Sequence, residues 1–167
     1  MKVVFVDIDG VLNTPMWTYR NDKFICSYNH PDDGKVNNLQ AICWLNELCH
    51  KEDLKIVVSS VWRRLCDYRS AFYKSGLAED IEILGSTPYL EGQTRGQEIK
   101  LYLQEHPEIE SFIILDDGSD MDDLVDHLIR CSTGHGFGFD EFFEARNLLK
   151  SLVVAKEGNS LKYTKGK

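Results

Sequence analysis

Val3-Val4-Phe5-Val6-Asp7-Ile8-Asp9-Gly10-Val11-Leu12-Asn13 is an apolar, largely β-branched run that ends abruptly in two carboxylates and a glycine. A run of that kind reads as a buried parallel strand whose carboxyl end carries chemistry. Asp7 and Asp9 are two residues apart, so in a regular strand their side chains point to the same face. Gly10 then lets the chain turn sharply. Two carboxylates that close cannot both stay ionised unless a cation sits beside them or one holds a proton. The pairing suits a nucleophile next to a general acid.

Three further segments follow in an order that extends this reading: Ile56-Val57-Val58-Ser59-Ser60, Arg95-Gly96, and Ile113-Ile114-Leu115-Asp116-Asp117. Two of them repeat the pattern of an apolar run followed at once by polar residues. The stretches between carry helical spacing: Leu39, Ile42, Leu45 and Cys49 predict a helix over Val36–Cys49, and Leu65, Tyr68 and Phe72 trace the next. Strands are predicted at Leu54–Ser59, Ile81–Leu84 and Phe112–Leu115, with a weak one near Arg130–Thr133, and a helix over Gly96–Glu105 ends near Pro107. Asp120 is a candidate cap for a helix through Met121, Leu124, Val125 and Leu128, and Asp140 for a last helix with Phe142, Ala145, Leu149 and Leu152 inward.

Residues 14–34 break the pattern. Pro15, Asn21-Asp22, Asn29, Pro31 and Asp32-Asp33-Gly34 alternate with Trp17, Tyr19, Phe24 and Tyr28, which predicts a loop or short hairpin serving as a flap over the Asp7 site. Alternating strands and helices imply one α/β domain over residues 1–155, a three-layer Rossmann-like parallel sheet with helices on both faces. Residues 156–167 are polar and are expected to form a flexible tail.

The formal charge of −8 over 167 residues disfavours a protein that grips long nucleic acid by neutralising phosphates alone. A local basic pocket is compatible with it. Five cysteines are scattered without a C-x-x-C pair, so buried thiols are expected rather than zinc ligands or disulfides. No apolar stretch is long enough for a signal peptide or a membrane span, and a cytoplasmic location is expected.

Together, Asp7-Ile8-Asp9-Gly10, the strand ending in Ser59, Arg95 before Gly96, and the strand ending in Asp116-Asp117 resemble the signature of the haloacid dehalogenase (HAD) superfamily. More closely, Asp7-Ile8-Asp9-Gly10-Val11-Leu12-Asn13, Ser59-Ser60-Val61-Trp62-Arg63, Arg95-Gly96-Gln97-Glu98-Ile99 and Leu115-Asp116-Asp117 are similar to the HAD domains associated with RNA-repair proteins. The resemblance covers residues 2–150 and implies strand order 5-4-1-2-3, with strands one and four flanking the switch point where open α/β sheets bind ligands. It also implies that Asp7 attacks phosphorus to form an aspartyl phosphate and that Asp9 protonates the leaving oxygen and then activates water. A phosphate ester repels an attacking carboxylate, so Mg²⁺ is expected, held by Asp7, the backbone carbonyl of Asp9, and Asp116 or Asp117.

The phosphoryl group would meet Ser59 or Ser60, with Ser59 preferred because it follows the apolar run directly and Ser60 is placed to cap the next helix. Arg95 would offset charge on the phosphoryl oxygens, with Lys100 as the fallback cation. Asp120, Asp122 and Asp123 read as a solvated helix start rather than ligands. Arg63, Trp62 and Trp17 are candidates to stack on a nucleobase and hold a phosphate at the entrance.

The expected function is therefore a Mg²⁺-dependent phosphatase with a minimal cap, open to nucleotides or nucleic-acid ends. A small-metabolite phosphatase, a phosphotransferase and a non-catalytic phosphate-binding regulatory module are the alternatives. A dehalogenase is disfavoured because its ester intermediate needs no leaving-group acid, and Asp9 is present.

Overall fold

The central sheet is all-parallel and built from β1 (Lys2–Val6), β4 (Leu54–Val58), β5 (Ile83–Ser86), β6 (Ser111–Asp116) and β7 (Leu128–Arg130), in the spatial order β5-β4-β1-β6-β7. Counting only these strands, the order is 3-2-1-4-5, the expected order read from the opposite edge. The computed structural model describes the backbone of residues 1–20, 23–27 and 29–163, and side chains outside 17–28 and 153–167.

Alternation along each strand splits the core into two layers. Val4, Val6, Ile56, Val58, Ile113 and Leu115 face one layer, which is closed by α1 (Leu39–Glu52), α2 (Tyr68–Lys74) and α4 (Phe139–Tyr163). On the other face lie Val3, Phe5, Val57 and Ile114, covered by Ile99 and Tyr102 of α3 (Arg95–Glu105) and by Met121. Phe5 packs edge-on against both Tyr102 and Phe112 there, with ring centroids 5.8 and 5.7 Å apart. β1 is the middle strand, fully buried on both faces, which is why its sequence is a continuous apolar run rather than an alternating one.

The 14–34 segment contains an antiparallel hairpin, β2 (Met16–Arg20) with β3 (Lys23–Ser27). Its base is pinned by Asn37, whose Oδ1 accepts from the Thr14 amide (2.9 Å) and whose Nδ2 donates to the Thr14 carbonyl (2.6 Å).

Two element assignments differ from the sequence reading. Leu65 does not join a helix: residues Val61–Arg64 form a 3₁₀ turn capped by Ser60, Leu65 is exposed, and α2 begins only after Asp67 caps it. Asp120 does not cap an α-helix either. The segment Asp122–His127 is 3₁₀ with Met121 at its start, which buries Met121 but leaves Val125 exposed. Asp120 instead serves α3, its Oδ2 accepting from the Arg95 amide (3.1 Å) and its carbonyl from the Gly96 amide (3.0 Å). A four-residue periodicity cannot distinguish the two helix types over a single turn or two.

Candidate active site

β1, β4 and β6 are paired in register, with Val6 opposite both Val58 and Leu115. The next residue on each strand therefore lies at one level: Asp7, Ser59 and Asp116. Alternation puts all three on the α3 side, continuing the rows Val3-Phe5, Val57 and Ile114. Arg95, the first residue of α3, enters from the same side. Its Nη2 lies 3.8 Å from Asp7 Oδ1, its Nε 3.6 Å from Asp116 Oδ2, and its Nη1 donates to Ser59 Oγ at 3.5 Å. Thr94 starts α3 through a reciprocal box with Gln97, and Asp120 takes the Arg95 and Gly96 amides, so it is the Arg95 side chain that α3 brings to the cluster.

Asp117 completes the acidic group. Carboxylate oxygens of Asp7, Asp116 and Asp117 all lie within 4.8 Å of one another. Gly10 makes this approach feasible: its φ is +78°, and a Cβ there would overlap the Asp117 carboxylate. Asp117 Oδ2 also accepts from Thr133 Oγ1 at 2.7 Å.

Burial raises the Asp7 carboxyl above the ordinary carboxylate range, although the Arg95 charge and the Ser60 hydroxyl pull it back. Burial raises Asp116 too, and the Asp7 charge adds to it. Asp116 Oδ2 is buried and accepts no hydrogen bond among the described residues. A buried oxygen with Arg95 Nε at 3.6 Å but no hydrogen bond, among crowded carboxylates, fits a hard divalent cation, which prefers oxygen donors and relieves the repulsion. These residues thus suit Mg²⁺.

Asp9 stands apart from that cluster. Its Oδ2 accepts from Trp62 Nε1 (2.9 Å) and its Oδ1 from Asn13 Nδ2 (2.6 Å). Trp62 and Asn13 are themselves buried, so the Asp9 carboxylate is held from below by fixed donors. Asn13 Nδ2 also donates to the Asn29 carbonyl at 3.0 Å, tying Asp9 to the return of the hairpin. A cavity of about 430 Å³ opens above, lined by Asp7, Asp9, Asp117 and Thr133 and closed on one side by Asn29, His30 and Pro31.

Not every sequence-selected residue joins this group. Ser60 does, through the hydroxyl that pulls the Asp7 carboxyl back, and it also caps the 3₁₀ turn, accepting from the Trp62 amide at 3.4 Å, while its carbonyl accepts from Arg63 Nη1 at 2.6 Å. Trp62 has no face free for a nucleobase, because its ring is part of the core and its N–H is given to Asp9. Arg63 is likewise withdrawn from the entrance: its side chain is only 5% exposed, and Nη2 pairs with Glu98 Oε2 at 2.7 Å. Lys100 is engaged with Asp123 at the surface, and Asp122 accepts from Thr94 Oγ1 (2.6 Å). The Trp17 side chain lies outside the described residues.

Sequence reasoning missed Thr133, Asn13 as an Asp9 partner, and the buried Arg63–Glu98 pair. Asn13 had a signal, its place at the end of the Asp-x-Asp-Gly segment. Thr133 and Glu98 had none, since each acts across a long sequence separation.

The buried pair has a testable consequence. Arg63→Ala leaves Glu98 charged, buried and without its guanidinium partner, a change that costs about 3–5 kcal/mol, measurable by urea unfolding. Joint replacement of the two by apolar residues of similar size is expected to cost much less.

A five-stranded Rossmann-like sheet of order 3-2-1-4-5 is that of a HAD core, and the buried aspartate cluster at the carboxyl ends of its middle strands fits a HAD-type site. Over residues 3–141 the chain matches the family described as the HAD domain in Swiss Army Knife RNA repair proteins, and it belongs to that family. No curated protein and no solved structure matches it. Among the described residues, no helix is long and apolar enough to cross a membrane.

Proposed function

We propose that the protein is a Mg²⁺-dependent phosphomonoester hydrolase that works through an aspartyl phosphate on Asp7, with nucleotides or nucleic-acid ends as substrates. The observation that carries this reading is the convergence of Asp7, Asp116, Asp117, Ser59 and Arg95 at the carboxyl end of the sheet.

Asp7 is the carboxylate that faces both Arg95 and the open cavity, which suits it to attack phosphorus. Arg95 and the Ser59 hydroxyl are placed to hold the phosphoryl oxygens as charge spreads over them. Asp9 would give its proton to the leaving oxygen and later take one from the water that hydrolyses the acyl phosphate. Trp62 and Asn13 fix its orientation for both steps. Asp7, Asp116 and Asp117 would hold the Mg²⁺, which when bound neutralises the charge that separates an anionic ester from an anionic nucleophile. An intact nucleophile and acid favour turnover over a regulatory module that only binds phosphate.

The deciding assay is hydrolysis of a panel of phosphorylated metabolites, nucleotides and 5′- or 3′-phosphorylated oligonucleotides, with Mg²⁺ and with EDTA. Release of phosphate from nucleotides or oligonucleotide ends, abolished by EDTA, is the expected result. Hydrolysis confined to small metabolites would move the substrate assignment, and no hydrolysis of any monoester would end the enzymatic reading.

A further inference from the structure

Arg95 borders a second cavity besides the one above Asp7. This one, of about 170 Å³, is walled by Val61, Tyr89, Gln93, Arg63, Glu98 and Asp120 as well as Arg95. Tyr89 is 48% exposed and Val61 46% exposed, a pair of apolar surfaces facing solvent on the loop and turn that follow β5 and β4. The Arg64 guanidinium lies over the Tyr89 ring, 3.9 Å from its centroid.

The charged walls are mostly spoken for. Glu98 is paired with Arg63 and also accepts from the Leu90 amide at 3.0 Å, while Asp120 accepts from the Arg95 amide. Arg64 forms no ion pair among the described residues, and its stacking on Tyr89 leaves its charge available. The cavity therefore combines the Tyr89 ring with a polar rim containing the Gln93 amide, and the Arg64 guanidinium, which covers one face of that ring, stands beside it. Planar groups with hydrogen-bonding edges stack on such platforms, and a guanidinium beside the ring attracts the phosphate attached to them.

We propose that this cavity is the base subsite of the substrate: a nucleobase stacks at Tyr89 and Arg64 while the phosphate of the same nucleotide, or of the neighbouring one, lies at Arg95 and Asp7. The assignment rests on the reading of Asp7 as the phosphate site, and Arg95 joins the two because it reaches Asp7 and walls the second cavity. A phenyl ring, as in a phosphotyrosine, suits the site less well. It has no polar edge to meet Gln93 and the charged rim.

The test is equilibrium binding in Mg²⁺ by calorimetry, with phosphonates that the proposed chemistry cannot cleave. The ligands are nucleoside methylenephosphonates carrying the phosphonate at the 5′ or the 3′ carbon, with methylphosphonate and benzylphosphonate for comparison. At least one nucleoside phosphonate is expected to bind tenfold or more tighter than methylphosphonate. Tyr89→Ala should remove about tenfold of that, as loss of one stacked base predicts, and Tyr89→Phe should restore it. Arg64→Ala should weaken the same ligand. Nucleoside affinity no better than methylphosphonate, or unaltered by Tyr89→Ala, overturns the subsite. Benzylphosphonate binding equally tight and equally sensitive to Tyr89→Ala reassigns it to an aryl group and also overturns it. Because binding is read without turnover, failure of hydrolysis by the parent protein is a separate result that bears on the catalytic reading alone.

Discussion

Asp7→Asn is expected to abolish phosphate release from any monoester the protein hydrolyses, by roughly a thousandfold or more, as loss of a covalent nucleophile does. The fold should survive. The amide keeps the size of the carboxylate at a position where burial already disfavours charge, so the melting temperature should hold or rise. Acid-quenched parent protein should carry phosphate on Asp7 by mass spectrometry, and the variant none. Activity within tenfold of the parent would rule out the covalent route, and with it the reason for placing Asp9 as acid and then base.

The second large effect concerns Asp116. In the metal-free protein its carboxylate is buried against Asp7 and Asp117, with one oxygen lacking a hydrogen bond. Asp116→Asn removes one of the repelling charges, so the metal-free variant should melt higher than the metal-free parent. With Mg²⁺ the order should reverse. A ligand at a hundred times its Kd stabilises by about 2.7 kcal/mol, which for a chain of this size raises the melting temperature by roughly 5–10 °C. The parent should show such a shift and the variant little of it, with turnover down at least a hundredfold. No Mg²⁺ shift in the parent at millimolar concentration would remove the metal assignment.

A pH effect follows from the same pair. Asp7 and Asp116 have folded-state values above their ordinary ones, so between the two the folded chain binds more protons than the unfolded chain. Stability of the metal-free protein should therefore fall as pH rises from the ordinary carboxylate range toward neutrality. Asp116→Asn should flatten that slope, as thermal melts across the range would show.

The family and its candidate catalytic aspartates were legible because they follow from local pattern. A middle parallel strand is buried on both faces and must be apolar throughout, so the polar residues after Val6 and Leu115 mark where it leaves the core. Alternation then places Asp7, Ser59 and Asp116 on one side once the register is known, and strand order comes with the resemblance. Short 3₁₀ segments were not legible, since one turn at Val61–Arg64 carries too few residues to show a period.

What the sequence by itself determined is the parallel sheet and the residues that stand at the carboxyl ends of its strands, the strand order following from the family resemblance. Only the tertiary structure decided what the neighbouring side chains do with their polar groups. Trp62 and Arg63 read as candidates to hold a nucleotide at the entrance, yet one gives its N–H to Asp9 and the other its guanidinium to Glu98, partners 53 and 35 residues away. The cavity beside Arg95 is instead walled by Tyr89, which no motif brought forward, with Arg64 over its ring. The physical reason is that burial and strand direction are imposed on every residue of a periodic element, whereas a side-chain hydrogen bond or stack depends on two backbones meeting from distant parts of the chain, and their separation has no period to read.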